Sequence, residues 1–207
     1  MGRKRMVIMI CAMVAVFLAS IMTAVAVFAA LQANVSSHFK VSYTAQNVHA
    51  TISGSYYKTG EKVADFTAGE SNVIEFNGTE TAKGENPTNV KEFDDIDDIT
   101  LKSTDYLVFE YVVENTDPEG DTDFEVTFAR IGSLENFDMS YVYSETQLLD
   151  VDMNTEMQAF PEAGSYITLA TMPVDETGYV YIRFTIIDEE VNANFDGGLD
   201  FILTGIE

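Results

Sequence analysis

No charged side chain occurs between Met6 and Leu31, and only Ser20 and Thr23 interrupt the apolar run. Such a segment has to leave water. As a helix rising 1.5 Å per residue it would be roughly 39 Å long, against a hydrocarbon core of about 30 Å, so it can span a bilayer. Arg3, Lys4 and Arg5 precede it, which keeps the start of the chain inside and sends the remainder out. The run exceeds the apolar stretch of about 7–15 residues in an ordinary signal peptide. Small residues nevertheless stand where a signal peptidase would cut, in Ala24-Val-Ala26, Val27-Phe-Ala29 and Leu31-Gln-Ala33. Residues 1–33 therefore read as a signal peptide or an N-terminal transmembrane anchor, holding the membrane through residues 6–31 if uncleaved. Residues 34–207 read as one extracytoplasmic domain. Myristoylation of Gly2 would want Ser or Thr at position 6, where Met6 stands.

Beyond His38 the pattern changes from continuous to alternating. Phe39, Val41 and Tyr43 alternate with Lys40, Ser42 and Thr44, the period of a half-buried strand. Val48, Ala50 and Ile52 repeat it, and Asn72 to Asn77 forms a short run. Leu107, Phe109, Tyr111 and Val113 make the clearest strand. Phe124, Val126 and Phe128 follow across Asp117-Pro-Glu-Gly-Asp121, and two strands flanking such a cluster read as a β-hairpin. Phe137 to Tyr143, Tyr166 to Thr171, Tyr179 to Ile187 and Leu199 to Leu203 complete the set. Ser144 to Met157 reads as a short helical turn, because Leu148, Leu149 and Val151 fit no strand. Gly78 to Asp98 reads as a long polar loop, and loops of that length tend to be functional or disordered. The expected fold is all-β: an antiparallel β-sandwich or jelly roll of about 8–10 strands, preceded by one N-terminal hydrophobic helix.

Charge narrows the partners. Three of the 11 basic residues precede the apolar run, so the rest of the chain carries 8 bases against 34 acids, −26 in all. That surface repels phosphate backbones and excludes nucleic-acid binding. It also repels anionic lipid, while favouring solubility, divalent cations and basic partners. The single cysteine, Cys11, lies in the apolar run, so neither a disulfide nor a thiolate metal site holds the outer domain. A cysteine-free exported β domain points to a Gram-positive bacterial cell surface.

Catalytic machinery is not legible. His38 and His49, the two histidines, lack metal-ligand spacing. No nucleophile elbow or phosphate-binding glycine loop occurs. Among 34 acids a close carboxylate pair is expected by chance and does not specify glycoside hydrolysis. The chain reads as a non-enzyme, with a hydrolase as a distant third reading. No cofactor is expected beyond calcium. For calcium, Asn115, Asp117, Glu119, Asp121 and Asp123 offer oxygens at alternate positions with Gly120 for a turn. They form a weak candidate metal site, although Val126 occupies the loop position where an EF-hand has its bidentate Glu. A second acidic cluster is Asp94, Asp95, Asp97 and Asp98. The alternative to both is a solvated turn, since turns favour these residue types.

Val27-Phe-Ala-Ala-Leu31 and the following Val35-Ser-Ser-His-Phe-Lys-Val41 resemble the start of TasA/camelysin-type bacterial proteins. Ile186-Ile-Asp-Glu-Glu190 and Asn194-Phe-Asp-Gly-Gly-Leu-Asp-Phe-Ile-Leu203 resemble that family's last strands. Leu107 to Thr116 is similar to strands of many bacterial surface sandwiches. The resemblance covers about a third of the chain. It departs at Ala30-Leu-Gln-Ala33, where the family has an aromatic-Phe-x-Asp sequence. It implies a jelly-roll subunit of extracellular fibres or biofilm matrix, in which an N-terminal strand, here about Asn34 to Thr44, completes a neighbour's sheet. Two functions follow as expectations. The first is a surface or secreted structural subunit that self-assembles or joins other surface proteins. The second is an anchored module binding calcium or a ligand through its acidic loops.

Overall fold

The structure, a computed structural model, describes residues 13–14, 16–17, 32–35, 39–46, 48–78, 90–96, 99–102, 104–152, 154–187 and 194–206. The expected N-terminal helix lies almost wholly outside these residues. Met13, Val14, Val16 and Phe17 are helical and exposed, and no helix among the described residues is long and apolar enough to cross a membrane.

The remainder is β-structure in two main sheets. In chain order the strands are β1 (Gln32–Val35), β2 (Phe39–Gln46), β3 (His49–Lys58), β4 (Glu61–Asp65), β5 (Val73–Asn77), β6 (Val90–Glu92) and β7 (Ile99–Lys102). They continue with β8 (Tyr106–Asn115), β9 (Asp123–Glu135), β10 (Phe137–Ser144), β11 (Gln158–Ala159), β12 (Tyr166–Met172), β13 (Thr177–Ile186) and β14 (Asn194–Ile206). A seven-stranded sheet runs β11-β10-β13-β8-β3-β4, with β5 also on β3, and a five-stranded sheet runs β12-β9-β14-β2-β6. β1 and β7 form a separate antiparallel ribbon, Gln32 opposite Lys102 and Val35 opposite Ile99. The expected number of strands is exceeded because β1, β4, β6, β7 and β11 are too short or too exposed to show a period.

Alternation places the core between the sheets. Leu107, Phe109, Tyr111 and Val113 of β8 are fully buried, facing Phe124, Val126 and Phe128 of β9, Leu199, Phe201 and Leu203 of β14, and Val41, Tyr43 and Ala45 of β2. Rings join the two sheets: Tyr111 of β8 lies 5.0 Å from Phe201 of β14, which in turn stacks at 4.7 Å on Tyr43 of its neighbouring strand β2. The result is a sandwich-like arrangement of sheets around one aromatic core. The phenol oxygens of Tyr43 and Tyr111 reach no hydrogen-bond partner among the described residues. Burial, helped at Tyr43 by neighbouring Tyr111, holds both phenols far above their ordinary range.

Four expectations are corrected. The Asp117–Asp121 cluster does not close a hairpin: β8 pairs with β3 and β13, whereas β9 pairs with β12 and β14. The connection crosses between sheets as an arch. The sandwich is not wholly antiparallel, because β2 runs parallel to β14 from Phe39 opposite Gly197 to Gln46 opposite Thr204. Strands so far apart in sequence need no tight turn between them, so nothing forces the antiparallel sense. No helix forms between Ser144 and Met157, where the described residues make bends and turns. Finally, the polar stretch from Gly78 to Asp98 is not one loop. Residues 79–89, 97 and 98 lie outside the described residues, but Val90–Glu92 form β6, and Phe93 and Ile96 are buried.

Gly54 shows how tightly the core closes. Phe66 crosses the bare backbone of β3 there, its N–H donating to the Gly54 carbonyl at 2.9 Å, and its ring stacks on Tyr111 at 5.1 Å. A methyl group at position 54 would stand 2.4 Å from the Phe66 ring and 2.9 Å from the Glu110 carbonyl oxygen. Gly54→Ala is expected to destabilise the chain by about 1–3 kcal/mol through overpacking. Denaturant unfolding should show a smaller penalty for the same change in a Phe66→Leu background; equal penalties in both would remove the ring as the cause.

Candidate functional site

The acidic arch after β8 is built around two side chains. Asn115 is buried, donating its amide to the carbonyls of Thr122 (3.0 Å) and Met172 (3.1 Å) and accepting the Asp117 N–H (3.2 Å). The Asp117 carboxylate accepts the N–H groups of Glu119 (3.1 Å), Asp121 (3.3 Å) and Thr122 (2.9 Å). Those N–H groups, Glu119's first, hold its carboxyl below the usual range. Asp123 accepts the Val174 N–H at 3.3 Å, and Asp121 accepts the Thr122 hydroxyl at 3.2 Å. Glu119 and Asp121 are exposed. The arch thus satisfies its own backbone and ties the end of β8 to the β12–β13 connection.

The second cluster is divided. Asp94 accepts the Thr67 hydroxyl (3.0 Å) and the Gly69 N–H (3.1 Å), Asp95 is exposed, and Asp97 and Asp98 lie outside the described residues. Among the described residues no group of three or more His, Cys, Asp or Glu is placed to hold a metal ion. His38 is outside the described residues, and His49 sits in β3 opposite Asn77 with its ring over Gly78.

A concavity lies elsewhere, on the outer face of the seven-stranded sheet. Alternation turns Tyr106, Val108 and Glu110 of β8 away from the core, and register sets Tyr181 opposite Glu110 and Tyr57 opposite Val108. A strap of irregular chain, residues 145–157, crosses this face. Its Leu148, Val151 and Met157 pack on Tyr106, Val108 and Tyr181. Polar contacts fasten it: the Leu148 N–H donates to the Tyr181 oxygen at 2.8 Å, and the Arg183 guanidinium donates to the carbonyls of Asp152 and, at 3.1 Å, Thr155. Asp152 caps the strap's turn through the N–H groups of Asn154 (2.8 Å) and Thr155 (3.0 Å).

Strap and sheet enclose a cleft of about 550 Å³, within the range that holds a small ligand. Glu110 is in its wall and only 6% exposed. Its hydrogen-bond partners are neutral: the Gln147 amide at 3.3 and 3.4 Å, the Tyr57 hydroxyl at 3.5 Å and the Tyr181 hydroxyl. Burial, with Glu110 adding to it, raises the phenols of Tyr57 and Tyr181; burial also raises that of Tyr106, with Asp152 and Asp150 adding to it. The rings therefore enter the cleft uncharged. The sequence does carry one signal for this site. From Tyr106 to Val113 β8 is apolar on both faces, as strands covered on both sides are, and Glu110 is the lone acid in that stretch.

No family model matches the chain, and no curated protein matches it. Among solved structures, the yeast delta-COP-I mu-homology domain aligns over 84% of this chain and 94% of that one, at 9% identity and a TM-score of 0.21. That likeness is too slight to carry an argument.

The Asp117 hydrogen bonds give a signed pH dependence. A carboxyl whose folded pKa is depressed contributes stability above the ordinary carboxylate range, near ~4, and loses it as pH falls. Asp117→Ala should therefore lower the melting temperature at neutral pH, with Asp117→Asn between it and the parent. The gap between parent and variant should narrow as the solution is acidified through that range. A gap that stays constant would remove the carboxylate from the stabilising role.

Proposed function

We propose that the chain is a non-enzymatic, exported structural or interaction subunit whose sandwich-like domain associates by strand addition along β12. The observation that supports this reading is the chemistry of the sheet edges. β12 ends the five-stranded sheet and reads Tyr-Ile-Thr-Leu-Ala-Thr-Met, with no charge and no proline over seven residues. Tyr166 is 51% exposed, and Ile167 and Leu169 are only partly covered by the core. The other edges of the two main sheets are defended in the ways that discourage pairing. β6 is three residues long with Lys91 and Glu92, β11 is two residues long, and β4 carries Glu61, Lys62 and Asp65. At β5, Lys91 reaches across to the Glu75 carbonyl. A register shift between Thr168 and Ala170 divides β12 into two short pairing stretches, which favours a short donor.

The donor we assign is β1 of a second copy. Residues 39–44, the larger part of the strand first expected to exchange, are built into β2, where Val41, Tyr43 and Ala45 fill the core. β1 is uncharged and, among the described residues, pairs with β7 alone. It follows directly on the apolar run of residues 6–31 that would export the chain. A β1-to-β12 contact joins two different surfaces, so its head-to-tail repetition extends into a filament wherever the rotation between copies does not close a ring.

Size-exclusion chromatography and electron microscopy of the purified chain test this reading. Assemblies are expected from the parent, and both deletion of Gln32–Val35 and the double change Tyr166→Glu with Thr168→Glu should abolish them while leaving the β circular-dichroism signal intact. A parent that remains monomeric, or variants that assemble like it, would overturn the proposal.

A further inference from the structure

We propose that the cleft beneath the 145–157 strap binds an organic cation, an ammonium or guanidinium group carried on an apolar stem. The inference is independent of the assembly reading, since the cleft is on the outer face of the other sheet. Three features converge on this ligand class. The first is the buried acid. Glu110 has no ion-pair partner among the described residues, and Arg183, on the adjacent strand, is committed to the strap carbonyls. Lys62, the lysine whose charge interacts with Glu110, is paired with Asp65 at 2.6 Å. A carboxylate so enclosed, whose hydrogen-bond donors among the described residues are neutral, gains most from a charged donor.

The second feature is the wall. Tyr57, Tyr106 and Tyr181 line the cleft with Val108 and Leu148. Aromatic faces attract cations by their quadrupole, most strongly where water is excluded, and the aliphatic residues suit the stem of an alkylammonium or alkylguanidinium. An anion would meet Glu110 and, at the rim, Asp150 and Asp152. A neutral polar ligand would leave the carboxylate without its counter-charge. The third is the field: 34 acids against 8 bases beyond the apolar run draw cations toward the surface and repel anions. A free amine and the side chain of a basic protein present the same group, and the site reads that shared chemistry.

The experiment is calorimetric titration of the purified full-length chain with n-butylammonium, n-butylguanidinium and the neutral n-butylurea, followed by a short lysine- and arginine-containing peptide. Saturable binding of at least one cation and none of the urea is expected. Glu110→Gln should weaken that cation at least tenfold. Tyr57→Ala, at a partly exposed position, should weaken it without depending on whether the buried substitution folds, and the cation should raise the melting temperature of the parent more than that of either variant. A peptide that binds more tightly than the free cations would assign the site to a basic protein side chain, and the reverse order to a free amine. Equal binding of n-butylurea, an unchanged affinity in both variants, or no saturation by either cation would overturn the proposal. Sizing of Glu110→Gln keeps the two readings apart, because strand addition does not pass through this cleft.

Discussion

Phe66 lying across the bare backbone of Gly54 is the contact on which the two sheets depend. From that position its ring stacks on Tyr111, meets Phe109 edge-on at 5.2 Å and lies 5.6 Å from Phe93. In the opposite sheet Tyr43 and Phe201, stacked on each other, meet Tyr111 at 6.4 and 5.0 Å. Aromatic pairs in such geometries contribute about 0.5–1.5 kcal/mol each beyond the area they bury, so the cluster offsets the cost of Tyr43 and Tyr111 hydroxyls that have no partner among the described residues. β8 supplies two of these rings while its opposite face supplies Tyr106, Val108 and Glu110 to the cleft. Core and cleft are two faces of one strand, and a displacement of β8 would be felt in both.

Long strands were legible because their core-facing positions recur with period two. Leu107 to Val113, Phe124 to Phe128 and Leu199 to Leu203 are buried at the positions that the period assigns. Turn chemistry proved less informative. Asp117, Gly120 and Asp121 serve an arch between sheets as well as they would serve a hairpin, since both need a chain reversal with its N–H groups satisfied. Only tertiary pairing distinguishes them. Leu148 and Val151 defeated the periodicity argument for a different reason: they belong to an irregular strap that packs over a sheet, where no fixed repeat is required. The cleft was written in the sequence as an acid inside a doubly apolar strand, but its other walls come from residues as distant as Tyr57 and Tyr181, which no local pattern connects.

The acidic surface imposes a condition on any assembly. Most bases in the described domain are answered locally: Lys40 by Glu92, Lys58 by Asp105, Lys62 by Asp65, and Arg183 by strap carbonyls. The acid excess therefore stays uncompensated at the surface, and copies of the chain repel one another at distances up to the screening length, about 8–10 Å at physiological salt. A contact between copies has to be short-ranged and made by segments with no charge of their own. β12 and β1 are such segments.

Salt then acts on the two proposed contacts in opposite senses. Strand addition between like-charged copies is opposed by a long-range repulsion that salt screens, while its hydrogen bonds and apolar contacts are barely touched. Assembly should strengthen as ionic strength rises. Cation capture depends on attraction between the ligand and the same acidic field, so its affinity should fall over that range, least for the part owed to buried Glu110 and the tyrosine rings. Sedimentation and calorimetry across one salt series would read both slopes on the same chain. Slopes of the same sign would mean that the acidic surface does not govern one of the two contacts.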